Sequence, residues 1–153
     1  MALIKLRLPP RIKVLEALSS IADGRVELMN SKARVVSSDG SREYKVVVDY
    51  ERRRVYSSDN GTVYRRYIGY PIIAVLMLKG ILPYDKEISK KLKGIRWREL
   101  NERYKSYRIV EGIVKRIYKE RGGDEKELDE IVMKVMNKLS KITLYFDEDL
   151  SKD

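Results

Sequence analysis

Arginine and tyrosine cluster in two short segments of this 153-residue chain. The clustered residues are Arg52, Arg53 and Arg54 in the first segment, and Tyr64, Arg65, Arg66 and Tyr67 in the second. Guanidinium groups bind phosphates, and tyrosine rings stack on unpaired bases. The two segments therefore predict a nucleic-acid-binding surface. The alternative is that the neighbouring Tyr44 and Tyr50 are half-buried strand residues and that the arginine run is a solvated turn.

A third basic segment follows further along the chain. Its candidate binding residues are Lys90, Lys91, Lys93, Arg96 and Arg98. A short helix, a turn near Gly94 and a second helix resemble a helix-turn-helix, which would place the second helix in a major groove. That second helix is predicted to run from Trp97 to Glu120 with a continuous apolar stripe. It is therefore also interpreted as a bundle helix whose basic face makes general phosphate contacts.

The residue types that are missing restrict the chemistry. The chain has no Cys and no His, which excludes tetrahedral zinc sites, thiol nucleophiles and Ser-His-Asp triads. Glu43, Asp49 and Asp59 lie near predicted β-turns, where a carboxylate pair could bind Mg²⁺. Aspartates in turns usually hydrogen-bond their own backbone instead. We therefore predict a nonenzymatic protein with no catalytic residue, no metal and no cofactor.

The charge is unevenly distributed along the chain. Residues 1–121 contain 28 Lys and Arg against 14 Asp and Glu, whereas residues 122–153 contain 5 against 9. A basic body followed by an acidic tail indicates a polyanion partner, which the tail would partly mask. The alternative is a solvated thermophile surface. The high charge and the absence of Gln and Cys are typical of a hyperthermophilic, archaeal-like protein.

The elements that must position these residues predict an α+β fold. Residues 25–68 indicate an antiparallel meander of three or four strands, with Asp-Gly and Asn-Gly turns. This meander is expected to pack on an N-terminal helix and on an apolar helix at residues 71–79. A three-helix C-terminal layer follows. We assign residues 1–83 to an α+β core, residues 84–142 to a helical layer of the same compact unit, and residues 143–153 to an acidic tail.

One segment resembles a known family. The strand Tyr44 to Asp49, the segment Val55 to Asp59 and the apolar run Gly69 to Leu76 follow one another as hairpin and helix do in a SWIM-type zinc-binding module, over residues 44–77. The family's four zinc ligands align with Val55, Ser57, Gly69 and Pro71, none of which binds zinc. The resemblance implies interaction with protein or nucleic acid in DNA-processing assemblies.

Two functional hypotheses result. The first is a nonenzymatic nucleic-acid-associated module or accessory subunit, with DNA or RNA as its partner. The second is a protein–protein interaction subunit without nucleic-acid contact. The N-terminal residues carry charges within their apolar stretch, and the longest apolar run, Ile72 to Leu78, is far shorter than the roughly 20 residues of a membrane span. We expect a cytoplasmic protein with no membrane partner.

Overall fold

A computed structural model describes residues 3–152, which form an α+β fold with a mixed six-stranded sheet and seven α-helices. The strands are β1 Ile4–Lys5, β2 Val26–Met29, β3 Lys32–Val36, β4 Glu43–Asp49, β5 Arg54–Ser57 and β6 Tyr145–Phe146. The helices are α1 Ile12–Ala22, α2 Asn60–Arg65, α3 Tyr70–Leu78, α4 Lys86–Lys91, α5 Trp97–Tyr104, α6 Tyr107–Glu120 and α7 Glu125–Ser140. A 3₁₀-helix, Glu148–Lys152, follows β6. The predicted fold class is confirmed.

The sheet is built around the predicted meander. Strands β2, β3, β4 and β5 pair antiparallel with their neighbours in the chain. The C-terminal β6 then pairs parallel with β5, and β1 pairs antiparallel with β6 at the edge. The strand order is therefore β1-β6-β5-β4-β3-β2. Strands β1 and β6, from the two ends of the described chain, therefore extend the meander beyond β5.

Helices α1 and α3 form the centre of the core. The apolar side chains of α1, including Val14, Leu15 and Leu18, are fully buried. Helix α3 is apolar on all sides and is buried from Pro71 to Met77, as its sequence predicts. Proline is favoured in the first turn of a helix, where its missing N–H leaves no hydrogen bond unmade. No helix among residues 3–152 is long and apolar enough to cross a bilayer.

The prediction of one long helix from Trp97 to Glu120 is wrong. The chain breaks at Lys105, which has a left-handed φ of 49°, and two helices result. Ser106 caps the second helix, because its Oγ accepts a 3.3 Å hydrogen bond from the Ile109 backbone N–H. The C-terminal layer therefore contains α4, α5, α6 and α7. The bundle-helix interpretation, which rested on that long helix, loses this support.

The turn predicted at residues 58–61 is also wrong in part. Asp59 is the N-cap of α2, and its carboxylate accepts a 3.1 Å hydrogen bond from the Thr62 backbone N–H. The Asp-Asn-Gly sequence that favours a turn therefore starts a short helix here. Arg66, with a φ of 57°, ends that helix.

The C-terminal segment is joined to the core through the sheet. Leu144 and Phe146 are buried, and the backbone of Tyr145 and Asp147 bonds to the β5 side of the sheet, at Arg53 and Val55. Glu148 and Asp149 lie beyond these anchors, in the 3₁₀-helix. Asp153 is outside the described residues.

Candidate functional site

A cleft of about 560 Å³ opens where α1, the start of β4, α2 and α5 meet. Its charged lining residues are Lys13, Arg42, Arg65, Arg98 and Lys105, with Glu16 and Glu102. Its aromatic lining residues are Tyr44, Tyr70 and Trp97. Five cations against two carboxylates give the cleft a positive charge, which attracts anionic ligands.

Three of the five cations of this cleft are not neutralised by the protein. Arg42, Arg65 and Lys105 make no ion pair with a carboxylate among residues 3–152. All three are exposed at the rim. They come from three separate segments of the chain, namely the β3–β4 loop, α2 and the α5–α6 break.

The floor of the cleft is a buried ion pair. The Glu16 carboxylate, only 3% exposed, accepts hydrogen bonds from Lys13 Nζ at 3.2 Å and from Asn101 Nδ2 at 3.0 Å. Burial of the Lys13 ammonium lowers its pKa, but the Glu16 carboxylate and the Tyr67 and Tyr107 phenols together outweigh that effect, so the pKa lies above its usual value. The Lys13 ammonium therefore stays protonated at neutral pH beside the Glu16 carboxylate.

Two polar atoms of the lining residues have no hydrogen-bond partner among the described residues. They are the indole Nε1–H donor of Trp97 and the amide Oδ1 acceptor of Asn101, and both are buried. A buried polar group without a partner costs about 1–3 kcal/mol. The two groups therefore lower the stability of the fold, and their burial keeps a ligand in the cleft from reaching them.

The aromatic wall consists of Tyr44 and Tyr70. Their rings contact edge to face, with centroids 6.3 Å apart. Burial raises the pKa of both phenols, so neither ionises near neutral pH. The Arg25 guanidinium lies over the Tyr70 ring, 6.0 Å from its centroid, and makes a cation–π contact with it.

Turn chemistry positions Arg98 at the cleft. The Asp39 carboxylate accepts hydrogen bonds from the side chains of Ser37 and Ser41, which fold the β3–β4 loop. These hydrogen bonds, together with the Arg98 guanidinium at 3.4 Å, hold the pKa of Asp39 well below its usual value. Arg98 also pairs with Glu102 at 3.2 Å. It is therefore a structural cation at the cleft rather than a free one.

Comparison with known proteins places the chain in a family. A family model described as "Uncharacterised conserved protein UCP014422" matches residues 6–145. The chain belongs to this family. The matched range contains every lining residue of the cleft. Neither the search of curated proteins nor the search of solved structures found a match.

The arginine run predicted as a binding segment lies at the β4–β5 turn of this UCP014422 member, outside the residues that line the cleft. Arg52 lies 3.7 Å from the Asp49 carboxylate, and Arg54 lies 3.6 Å from Asp147. The Arg53 guanidinium covers the Tyr50 ring at 3.7 Å. Each of the three side chains therefore has an intramolecular partner.

The second predicted segment is divided by the fold. Arg65 lines the cleft, and Tyr64 beside it is 79% exposed. Arg66 and Tyr67 do not line the cleft. The Arg66 guanidinium lies 4.8 Å from the Phe146 ring centre, and Tyr67 is buried. Burial and a hydrogen bond with Tyr107 raise the pKa of Tyr67 to about 12.

Of the third predicted segment, only Arg98 lines the cleft. Lys90 and Arg96 form exposed pairs with Glu87 and Glu99, each at 3.6 Å. The remaining two residues are Lys91, whose Nζ lies 5.9 Å from the Tyr118 ring centre, and Lys93, whose carbonyl accepts a hydrogen bond from Arg121.

Several residues of the cleft are not among the predicted binding residues. They are Lys13, Glu16, Arg42, Tyr44, Tyr70, Trp97, Asn101 and Lys105. One signal in the sequence was the i,i+4 pair Trp97 and Asn101, which puts the only Trp of the chain and an amide on one helix face. Glu16 gave a second signal, since a carboxylate within an apolar helix stripe has to be paired when it is buried.

Two of the four positions that the SWIM resemblance aligned with zinc ligands, Ser57 and Gly69, are linked by hydrogen bonds through Asp59 and Thr62. Ser57 donates to the buried Asp59 carboxylate, Thr62 Oγ1 donates to it at 2.9 Å, and Gly69 N–H donates to Thr62 Oγ1 at 3.2 Å. Among residues 3–152, no three His, Cys, Asp or Glu side chains are close enough to hold a metal ion. The family match does not bear on the SWIM resemblance, which stays a prediction.

Proposed function

We propose that this protein is a nonenzymatic module that binds single-stranded nucleic acid, DNA or RNA, in the cleft. The observation that carries the proposal is the set of three rim cations, Arg42, Arg65 and Lys105, that have no carboxylate partner among residues 3–152. Exposed Lys and Arg that are not neutralised in the protein displace the counterions condensed on the phosphates of a nucleic acid, and the release of these counterions drives binding.

The shape of the cleft favours single strands over duplexes. A concave cleft of about 560 Å³ lies within the range of small-molecule pockets, so one or two unstacked nucleotides fit. The tyrosine wall supplies ring surfaces on which bases stack, and the exposed Tyr64 lies beside Arg65 in the chain. A paired duplex presents no free base faces to such a cleft.

The test is a binding titration with fluorescently labelled 12-mers. We expect the full chain to bind single-stranded oligonucleotides at 50 mM salt, to bind a duplex of the same sequence more weakly, and to lose affinity steeply as salt increases. Tighter binding of the duplex would contradict the choice of single strands. An absence of binding to either form at 50 mM salt would contradict the proposal as a whole.

A second candidate function is docking of a protein partner without nucleic-acid contact. The observation that favours it is the unpaired edge of β2, where Leu28 and Met29 are exposed among the described residues. An exposed strand edge can pair with a strand of another chain. Affinity capture from a cell lysate, with and without nuclease treatment, distinguishes the two functions, because protein partners of this edge remain bound after nuclease treatment.

The thermophilic, archaeal-like source and the cytoplasmic location rest on composition alone. They stay predictions that belong to this proposal. A melting temperature above roughly 90 °C would support the thermophilic source.

A further inference from the structure

We infer that a bound strand leaves the cleft along a neighbouring groove, between the start of α1 and the first turns of α6, and that the next nucleotide binds there. The inference rests on the proposed binding of single strands. The groove has a volume of about 370 Å³, and its lining includes Tyr107, Arg108 and Gly112. This volume lies at the lower end of the range for ligand sites, which suits a single nucleotide.

One contact joins the groove to the cleft. Lys13 lines the cleft, and its Nζ lies 5.2 Å from the centroid of the Tyr107 ring, which lines the groove. Lys105 at the cleft rim precedes Tyr107 by two residues. Tyr107 is 43% exposed, so a strand that fills the cleft meets this side chain next, and tyrosine rings stack on bases.

Arg108 gives the groove a cation that the protein does not neutralise. Among residues 3–152 its guanidinium makes no ion pair with a carboxylate, and the side chain is exposed. Two other cations of the groove, Arg11 and Lys115, both pair with Glu111 and Asp129, at 2.6 to 3.4 Å. Arg108 is therefore the side chain that the groove offers to a phosphate, as the rim cations do in the cleft.

Gly112 leaves the space of the groove open. It lies inside α6, where glycine is less favourable than alanine. Neither the backbone nor the packing requires glycine here, because its φ is not left-handed and a Cβ would meet nothing within 4 Å. The residue is exposed and lines the groove. The missing side chain therefore widens the groove at the expense of helix stability, and room for a ligand is a use that offsets this loss.

The experiment compares Gly112→Leu with the wild type, each as the full chain, for binding of a single-stranded thymidine 12-mer and of a thymidine dinucleotide at 50 mM salt. Leucine fills the groove and is a better helix former than glycine. The variant should therefore melt at a higher temperature and yet bind the 12-mer at least about fivefold more weakly, because one nucleotide loses its stacking surface. The dinucleotide, which the cleft alone accommodates, is titrated by NMR and should bind both proteins equally.

Two outcomes of this comparison would overturn the inference and leave the proposed function standing. The first is an unchanged affinity of Gly112→Leu for the 12-mer, which would show that no nucleotide occupies the groove. The second is an equal weakening of the 12-mer and the dinucleotide, because the substitution would then act on the cleft itself. Failure of the wild-type protein to bind the 12-mer would instead overturn the proposed function.

Arg108→Ala and Arg116→Ala form a second, matched pair of variants. Both arginines lie exposed on α6 without a carboxylate partner among residues 3–152, but only Arg108 lines the groove. We expect Arg108→Ala to reduce the slope of log K against log salt for the 12-mer by about 0.7, and Arg116→Ala to leave the slope nearly unchanged. Equal slopes in the two variants would overturn the inference. This comparison decides if Gly112→Leu does not fold.

Discussion

The amide of Asn101 donates a 3.0 Å hydrogen bond to the buried carboxylate of Glu16, and so joins α5 to α1 across 85 positions of the chain. The same carboxylate pairs with Lys13. This buried carboxylate therefore links α5 to α1 and forms the floor of the cleft.

Removing that carboxylate is expected to destabilise the fold. Glu16→Ala leaves the Lys13 ammonium buried without its carboxylate partner, and we expect the free energy of unfolding to fall by roughly 3 kcal/mol. Glu102→Ala is the matched control on the cleft rim, where the side chain is 69% exposed and its loss costs less than about 1 kcal/mol. Urea denaturation measures both. Similar losses from the two variants would contradict the structural role of Glu16.

Gly69 is expected to tolerate no side chain. A Cβ at this position would lie 2.7 Å from the Asp59 carboxylate carbon, so Gly69→Ala must displace the hydrogen bonds between β5, α2 and α3. We expect the free energy of unfolding to fall by about 1–3 kcal/mol.

Gly112→Ala is the opposite case. That position is in α6, and a Cβ there would meet nothing within 4 Å, so alanine should add roughly 0.5–1 kcal/mol. Thermal denaturation shows whether each of the two variants raises or lowers the melting temperature.

The C-terminal segment is predicted mainly to stabilise the sheet. Masking of the positive charge of residues 1–121 is its secondary role. Phe146 is buried against Tyr56, with ring centroids 5.6 Å apart, and Phe146→Ala should lower the free energy of unfolding by roughly 3–4 kcal/mol.

Truncation after Asp147 keeps this anchor and removes three carboxylates and one lysine, so the net charge rises by 2. The truncated chain should remain folded. If it binds oligonucleotides more tightly at low salt, the residues beyond Asp147 mask the basic body.

The acid stability of the protein should depend on Asp129. Its carboxylate accepts a hydrogen bond from Lys115 and lies 2.6 Å from an Arg11 nitrogen, and these contacts lower its pKa below the usual 3.8. A carboxyl group with a lowered folded pKa stabilises the fold above its unfolded pKa and loses that contribution as the pH falls through its folded pKa.

Asp129→Asn should therefore be less stable than the wild type from pH 7 to about pH 5, and the difference should vanish below the usual carboxyl range. The difference should not exceed about 1 kcal/mol, because the Asp129 side chain is 46% exposed. Glu130→Gln, at the neighbouring exposed position, should leave the pH profile unchanged. A constant difference down to pH 2 would contradict the assignment.

The fold class could be predicted because its signals are local. The alternation of buried and exposed residues in β3 and the all-round apolar sequence of α3 depend only on near neighbours. The parallel pairing of β5 with β6 could not be predicted, since Arg54 and Tyr145 lie about ninety positions apart. The helix break was missed because Lys105 adopts a left-handed conformation that its side chain does not favour.

The cleft was only partly predictable for a related reason. Its residues come from segments far apart in the chain, such as Lys13, Arg65 and Asn101, so no spacing links them. The sequence does identify basic segments, but it does not indicate which cations have carboxylate partners. Arg52 and Arg65 look equivalent in the sequence, yet the first lies beside Asp49 and the second lines the cleft.

The salt dependence of oligonucleotide binding by two matched double variants tests the central claim most directly. Arg42→Ala/Arg65→Ala removes two rim cations, and Arg52→Ala/Lys90→Ala removes two cations elsewhere, so both lower the net charge equally. We predict that the first variant weakens binding of a single-stranded 12-mer and reduces the slope of log K against log salt by about 1.4, since each lost phosphate contact contributes about 0.7. The second should retain nearly the wild-type slope. Equal losses in the two variants would contradict binding in the cleft.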